Sequence, residues 1–203
     1  MVKWFNWCGY FIEGFARVWD GRRWHFVNSN GAMLQGEYED CGDFNEGFAR
    51  VRLNGKWYFI NNEGRFLTND CFDFTRDFNE GFAKVNLNGK WNYIDKEGKF
   101  LSDVWVDCCY EYNEGFFRVC VCNRWNYIGK EGKFLSPIWF EWADDFREGF
   151  ARVKLDTNIH YVNSEGLLQK DMMVSNCTDA SQYRICDNVW YSIDKKGVLH
   201  EYR

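Results

Sequence analysis

The sequence has one proline, Pro137, and three histidines, His25, His160 and His200, spread over 203 residues. Scattered imidazoles do not form a ligand set. The nine cysteines do not complete one either, because they are odd in number and lack the two spaced C-x-x-C pairs of a zinc ribbon. No metal, cofactor or disulfide framework is therefore expected, and a surplus of thiols fits a reducing compartment. No run approaches the roughly 18 apolar residues a membrane helix needs. The opening MVKWFNWCGYFIEGF also lacks the basic head and unbroken apolar core of a signal peptide. Cytoplasmic residence without a membrane partner is the expectation. Positive charge is short too: 25 Lys and Arg stand against 30 Asp and Glu, for a net charge of -5, so a surface that tracks nucleic-acid phosphates is excluded. Phosphate-cradling G-x-x-x-x-G-K-[ST], dinucleotide-type G-x-G-x-x-G and G-x-S-x-G elbows are absent, as is helical periodicity.

Aromatics and repetition are what the chain has in excess. It carries 19 Phe, 11 Trp and 11 Tyr. The run EGFARVRLNGKWYFINNEGRF from Glu46 to Phe66 returns as EGFAKVNLNGKWNYIDKEGKF from Glu80 to Phe100. The glycine of this EGF recurs at Gly14, Gly47, Gly81, Gly115 and Gly149, at steps of 33, 34, 34 and 34 residues. Ten residues after each stands Trp24, Trp57, Trp91, Trp125 or Ile159, and seven further on Gly31, Gly64, Gly98, Gly132 or Gly166. A sixth, eroded copy keeps Arg184, Ile185, Trp190 and Gly197. Six units fit, at about 1–35, 36–68, 69–102, 103–136, 137–170 and 171–203, with no Pro/Gly/Ser linker between them. One repeat domain, 1–203, is expected.

Within a unit GFAKVNL alternates, Ala83, Val85 and Leu87 against Phe82, Lys84 and Asn86, which is a strand pattern. Asn88-Gly89 then predicts a tight hairpin into KWNYID, since both turn residues tolerate positive φ. KEG makes a second turn and KFL a short third strand, while the upstream CFDFTRDFN reads as bulged or irregular. An isolated hairpin is marginal in water, so each unit must bury its Trp and Tyr against the next. The fold class is all-β: a tandem β-hairpin repeat array. An open, twisted β-solenoid-like stack is favoured over a closed six-unit ring, because 34 residues is short for a propeller blade of roughly 40 to 45 residues.

GKWNYIDKEGKFLS, followed by LSPIWFEWADDFREGFARV at Leu135 to Val153, resembles the WG-containing or KWG repeat of bacterial proteins. The resemblance runs over essentially the whole chain. It departs after the Trp, where the family's glycine is replaced by His25, Tyr58, Asn92, Asn126, His160 and Tyr191. The resemblance implies a binding or scaffold module and no catalytic residues. GRRWHFVNSNGAMLQG is also similar to the choline-binding wall repeat, but those units run to about 20 residues, so this reads as convergence on an aromatic hairpin.

Glu13, Glu46, Glu80, Glu114 and Glu148 form one column, and Arg17, Arg50, Lys84, Arg118, Arg152 and Arg184 another. An active site is a unique convergence of unlike groups, so these ladders read as structural: the Glu accepts turn amides, and the base caps or pairs with a neighbour. Cys8, Cys41, Cys109 and Cys177 share a column with Thr75 and Ala143, whose common property is smallness, and read as tight, buried packing.

Positions ten and seven before the repeat glycine vary freely: Trp4/Trp7, Glu37/Asp40, Cys71/Phe74, Trp105/Cys108, Trp139/Trp142 and Met173/Asn176. A shared scaffold cannot require Trp there, so Trp4, Trp7, Trp105, Trp139 and Trp142 are the candidate binding surface, against the alternative that they fill gaps between units. The expected function is a non-enzymatic scaffold that binds another protein along an extended aromatic-rich face. A glycan or cell-wall polymer module and a structural component of an assembly such as a phage particle are the alternatives.

Overall fold

The alternation in Phe48–Leu53 produces a strand whose Ala49 and Val51 face one side and whose Phe48 and Arg50 face the other. Asn54 and Gly55 hold φ of 50° and 76°, the two positive values a tight I′ turn requires, and return the chain as Lys56–Asn61. Phe48 to Leu53 then pair antiparallel with Asn61 to Lys56 in unbroken register. The computed structural model describes residues 5–156, 158–169, 190–193 and 199–202, the last two segments by their backbone alone.

The chain divides into two bodies, Met1–Trp105 and Val106–Arg203. The first holds three antiparallel sheets of three strands each: Trp7–Cys8, Phe15–Trp19 and Trp24–Asn28; Asp40–Cys41, Phe48–Leu53 and Lys56–Asn61; Phe74–Thr75, Phe82–Leu87 and Lys90–Asp95. The second body holds a sheet of Cys108–Asn113, Phe116–Val121 and Arg124–Gly129, then one that opens with Trp142–Ala143, Phe150–Leu155 and Asn158–Asn163. This last sheet continues through Leu168–Gln169, Trp190–Ile193 and Leu199–Tyr202 to six strands. The final hairpin thus extends the fifth sheet; Arg184, Ile185 and Gly197 of the eroded copy lie outside the described residues. The described residues contain strands, bridges and turns and no helix.

After the KEG turn the chain runs back beside the outer strand and touches it at separated points. Ile60 bridges Phe66, and Trp57 exchanges backbone hydrogen bonds of 2.8 and 2.9 Å with Phe72. The expected KFL strand is accordingly a lone bridge in four copies and a true strand as Leu168–Gln169 in the fifth and Leu199–Tyr202 in the eroded sixth. From Phe72 the chain crosses to the short strand of the next sheet, which resolves the irregular CFDFTRDFN into Phe74–Thr75 and a second tight turn at Glu80-Gly81.

The sheets stack face to face, an aromatic face on a face of small aliphatics. In the first body Phe15, Trp24 and Phe26 of the first sheet pack with Ala49, Val51 and Ile60 of the second, around Phe44. Phe48, Trp57 and Phe59 of the second sheet repeat this on Ala83, Val85 and Ile94 of the third, around Phe78. In the second body Phe116, Trp125 and Tyr127 do so on Ala151, Val153 and Val162, around Phe146. Each buried ring contributes roughly 1.5–3 kcal/mol that a separated unit forfeits. The protein is an all-β tandem hairpin array. Within each body the described sheets stack without closing into a barrel, in keeping with an open stack.

Candidate interaction surface

Every EGF glutamate occupies a position that local chemistry would give to Asn. Glu13, Glu46, Glu80, Glu114 and Glu148 lie at φ between 44° and 53°, each followed by a positive-φ glycine. A long side chain carries a penalty there that Asn or Gly would avoid. The offset comes from the neighbouring copy. The Glu13 carboxylate accepts the Glu46 and Gly47 amides at 2.8 Å each, and Glu114 accepts those of Glu148 and Gly149 at 2.9 Å each. Glu46 accepts the Gly81 amide at 3.0 Å and pairs with Lys96 at 3.0 Å. Burial would raise the Glu46 carboxyl, but the hydrogen bonds from Lys96 and Gly81 outweigh it and hold the group below its ordinary value.

The basic column reaches in the same direction. Arg17 donates to the Cys41 carbonyl at 3.1 Å and pairs with Asp43; Arg50 donates to the Thr75 carbonyl at 3.2 Å and pairs with Asp77; Arg118 donates to the Ala143 carbonyl at 2.7 Å and pairs with Asp145. Each cation also lies over its own unit's tryptophan: Arg50 at 5.1 Å from the Trp57 ring centre, Lys84 at 4.5 Å from Trp91 and Arg118 at 5.4 Å from Trp125. Both columns therefore join adjacent copies, in accord with their structural reading. Arg152 differs, pairing with Asp144 of its own copy and lying over Trp142.

The residue that replaces the family glycine after Trp does work that the sequence did not reveal. Asn126 is fully buried; its amide donates to the Ser136 carbonyl at 2.8 Å and its oxygen accepts the Tyr127 amide at 2.8 Å. Asn92 makes the matching bonds to Ser102 and Tyr93, and His25 stands between the Gly36 carbonyl and Asp20. These side chains tie each hairpin to its returning segment.

The small-residue column is buried at Cys41, Thr75, Cys109 and Ala143. Cys8 departs from it and is exposed. Cys41 lies under Arg17 of the preceding copy, whereas no described unit precedes Cys8. Cys177 lies outside the described residues.

The candidate tryptophans separate by position. Trp105 and Trp139, ten before the repeat glycine, are half-buried against Phe100 and Phe134 at 5.2 and 5.0 Å between ring centres, so they fill gaps. Trp7 and Trp142, seven before it, open their short edge strands at 45% and 39% exposure. Trp4 lies outside the described residues. Phe74 occupies the same strand position at 38% exposure, and Tyr110 is exposed under Arg118. Phe74 was visible in the varying column; Tyr110 carried no such signal.

Comparison with known proteins follows the repeat. A family model of the WG containing repeat matches residues 26–57, 59–91 and 125–156. No curated protein matches the sequence. Among solved structures the chain is similar to Kluyveromyces lactis Hsv2p, at 10% identity over 80% of this chain and 62% of that one, with a TM-score of 0.39. It is also similar to a streptogramin B lyase, at 12% identity over 97% and 81% of the two chains with a TM-score of 0.33. The Neurospora crassa Pan2 WD40 domain follows at 12% identity, 78% and 61% coverage and a TM-score of 0.33. The chain thus spans about three fifths of the length of the Kluyveromyces lactis structures it matches. No helix among the described residues is long and apolar enough to cross a membrane. With the family match recurring on copies whose contacts repeat residue by residue, the chain is a WG-containing repeat protein.

Proposed function

We propose that this protein is a non-enzymatic scaffold that binds another protein through aromatic side chains on its short edge strands. The observation that supports this reading is the exposure of Trp7, Phe74 and Trp142 at one freely varying position, while Phe26, Phe59 and Tyr127 of the repeat are buried and its Trp24, Trp57 and Trp125 half-buried. Exposed Trp with an adjacent cation, as Trp142 has in Arg152, suits a protein interface because it buries much area with few torsions to freeze. The reading is non-enzymatic because the repeating carboxylates and cations are engaged in holding neighbouring copies, which leaves them no unique convergence on a substrate. The test is a pull-down from native lysate with the full chain. Trp7→Ala/Trp142→Ala should lose the retained protein, and Trp105→Ala should keep it. Retention that ignores both exposed tryptophans contradicts the proposal. Retention of purified wall polymer in place of protein would turn it toward the glycan reading.

A further inference from the structure

Each short edge strand faces the central strand of its sheet residue for residue, and the pair at its seven-before position differs from copy to copy. Trp7 stands opposite Trp19, Asp40 opposite Arg52, Phe74 opposite Asn86 and Trp142 opposite Lys154. In the fourth copy the pair is Cys108 opposite Cys120. Directly opposed residues of antiparallel strands point to one face, with Cα atoms about 4.5 to 5.5 Å apart. That spacing falls inside the roughly 4.4 to 6.8 Å that a disulfide spans. The two side chains already share a hydrogen bond.

The other strand cysteines lack such a partner. Cys8, Cys41 and Cys109 stand opposite Val18, Val51 and Val119. Cys122 lies beyond the paired strands, in the hairpin turn at φ 48°, where its amide donates to Asp107 at 2.6 Å. Access to the pair is graded: Cys108 on the edge strand is half-buried, and Cys120 on the central strand is 5% exposed. A reagent from solution therefore meets Cys108 first, with Cys120 behind it. The backbone needs little movement to join them, since the Asp107 amide already donates to the Cys120 carbonyl at 2.8 Å.

We propose that Cys108 and Cys120 are a thiol modification site that closes to a cross-strand disulfide by exchange with a small-molecule disulfide. The Cys108 thiolate attacks one sulfur of the reagent, forming a mixed disulfide and releasing one thiolate. The Cys120 thiolate then attacks the Cys108 sulfur and releases the second. Two protein thiols are oxidised, one reagent disulfide is reduced, and the two protein protons pass to the departing thiolates. Burial, reinforced by the hydrogen bond with Cys120, pushes the Cys108 thiol up to about 12. Such a thiol attacks slowly at neutral pH and is a poor leaving group, so the bond forms slowly and then resists reduction. A bulge between Cys109 and Tyr112 interrupts the pairing of Cys108–Asn113 with Phe116–Val121, and the bond pins the part before it.

The test is thiol mapping on the native full chain. Wild-type protein is incubated with oxidised glutathione, the remaining thiols are alkylated, and the unreduced peptides are sequenced by tandem mass spectrometry. A link from Cys108 to Cys120 is expected, with its rate rising about tenfold per pH unit through neutrality as the thiolate fraction does. Cys122→Ser should form the bond at the wild-type rate, and Cys120→Ser should stop at a glutathione adduct on Cys108. The wild-type map stands without either variant. Glutathione adducts on Cys108 and Cys120 with no bond between them, a bond made through Cys109 or Cys122 instead, or full alkylation of both thiols after the incubation would overturn the proposal.

Discussion

Glu46 shows how one residue serves two copies. It accepts an unfavourable backbone conformation within its own hairpin and returns a carboxylate clamp to the next. Glu46→Gln should therefore lower stability by about 1–2 kcal/mol, read from the urea midpoint, because a charged acceptor is replaced by a neutral one. Asp20 supplies a pH test. The Arg23 backbone amide, the His25 side chain and the Arg22 amide hold its carboxyl down to about 2, against an ordinary value of 3.8. A carboxyl depressed in the folded chain stabilises above its unfolded value and loses that contribution as pH falls through the folded one. The urea midpoint should accordingly fall between pH 4 and pH 2, and Asp20→Asn should flatten that descent. Thiol chemistry divides the cysteines. Burial pushes Cys41 up to about 12, while Cys8 and Cys122 are exposed. Alkylation followed by peptide mass mapping should modify Cys8 and Cys122 first and reach Cys41 and Cys109 only on unfolding; early modification of Cys41 would contradict the packing account.

At the scale of the element, the hairpins were legible because Asn-Gly dipeptides and alternating residues state their geometry locally. The Glu-Gly turns were legible as glycine turns, but not as I′ turns, since Glu at positive φ is a choice only a neighbour explains. Two glycines separate the local from the tertiary cause. A Cβ at Gly81 would meet nothing, so Gly81→Ala should cost at least about 1 kcal/mol through φ alone. A Cβ at Gly166 would also run into the Leu135 carbonyl of the preceding copy, so Gly166→Ala should cost more by thermal or urea unfolding. The buried asparagines were hidden for a different reason: their partners, the Ser102 and Ser136 carbonyls, come from a returning segment with no periodicity to read. Asn126→Ala should destabilise by about 1–3 kcal/mol, the expected cost of stranding buried partners.

On the scale of the whole molecule, the repeat period and all-β class could be read directly, because a 34-residue clock leaves little freedom. The separation of the tryptophans could not. Trp105 and Trp142 differ by whether the chain at that point is crossing between sheets or opening an edge strand, which depends on register between copies. The burial of the repeated rings at contacts between copies carries the central claim, that each copy is held by its neighbours. Residue-resolved hydrogen exchange on Glu46→Gln tests that claim most directly. The account predicts that protection falls at the Gly81 amide in the next copy, 35 positions along, while the amides within Lys56–Asn61 keep theirs. Loss confined to the substituted copy, with Gly81 unchanged, would contradict it.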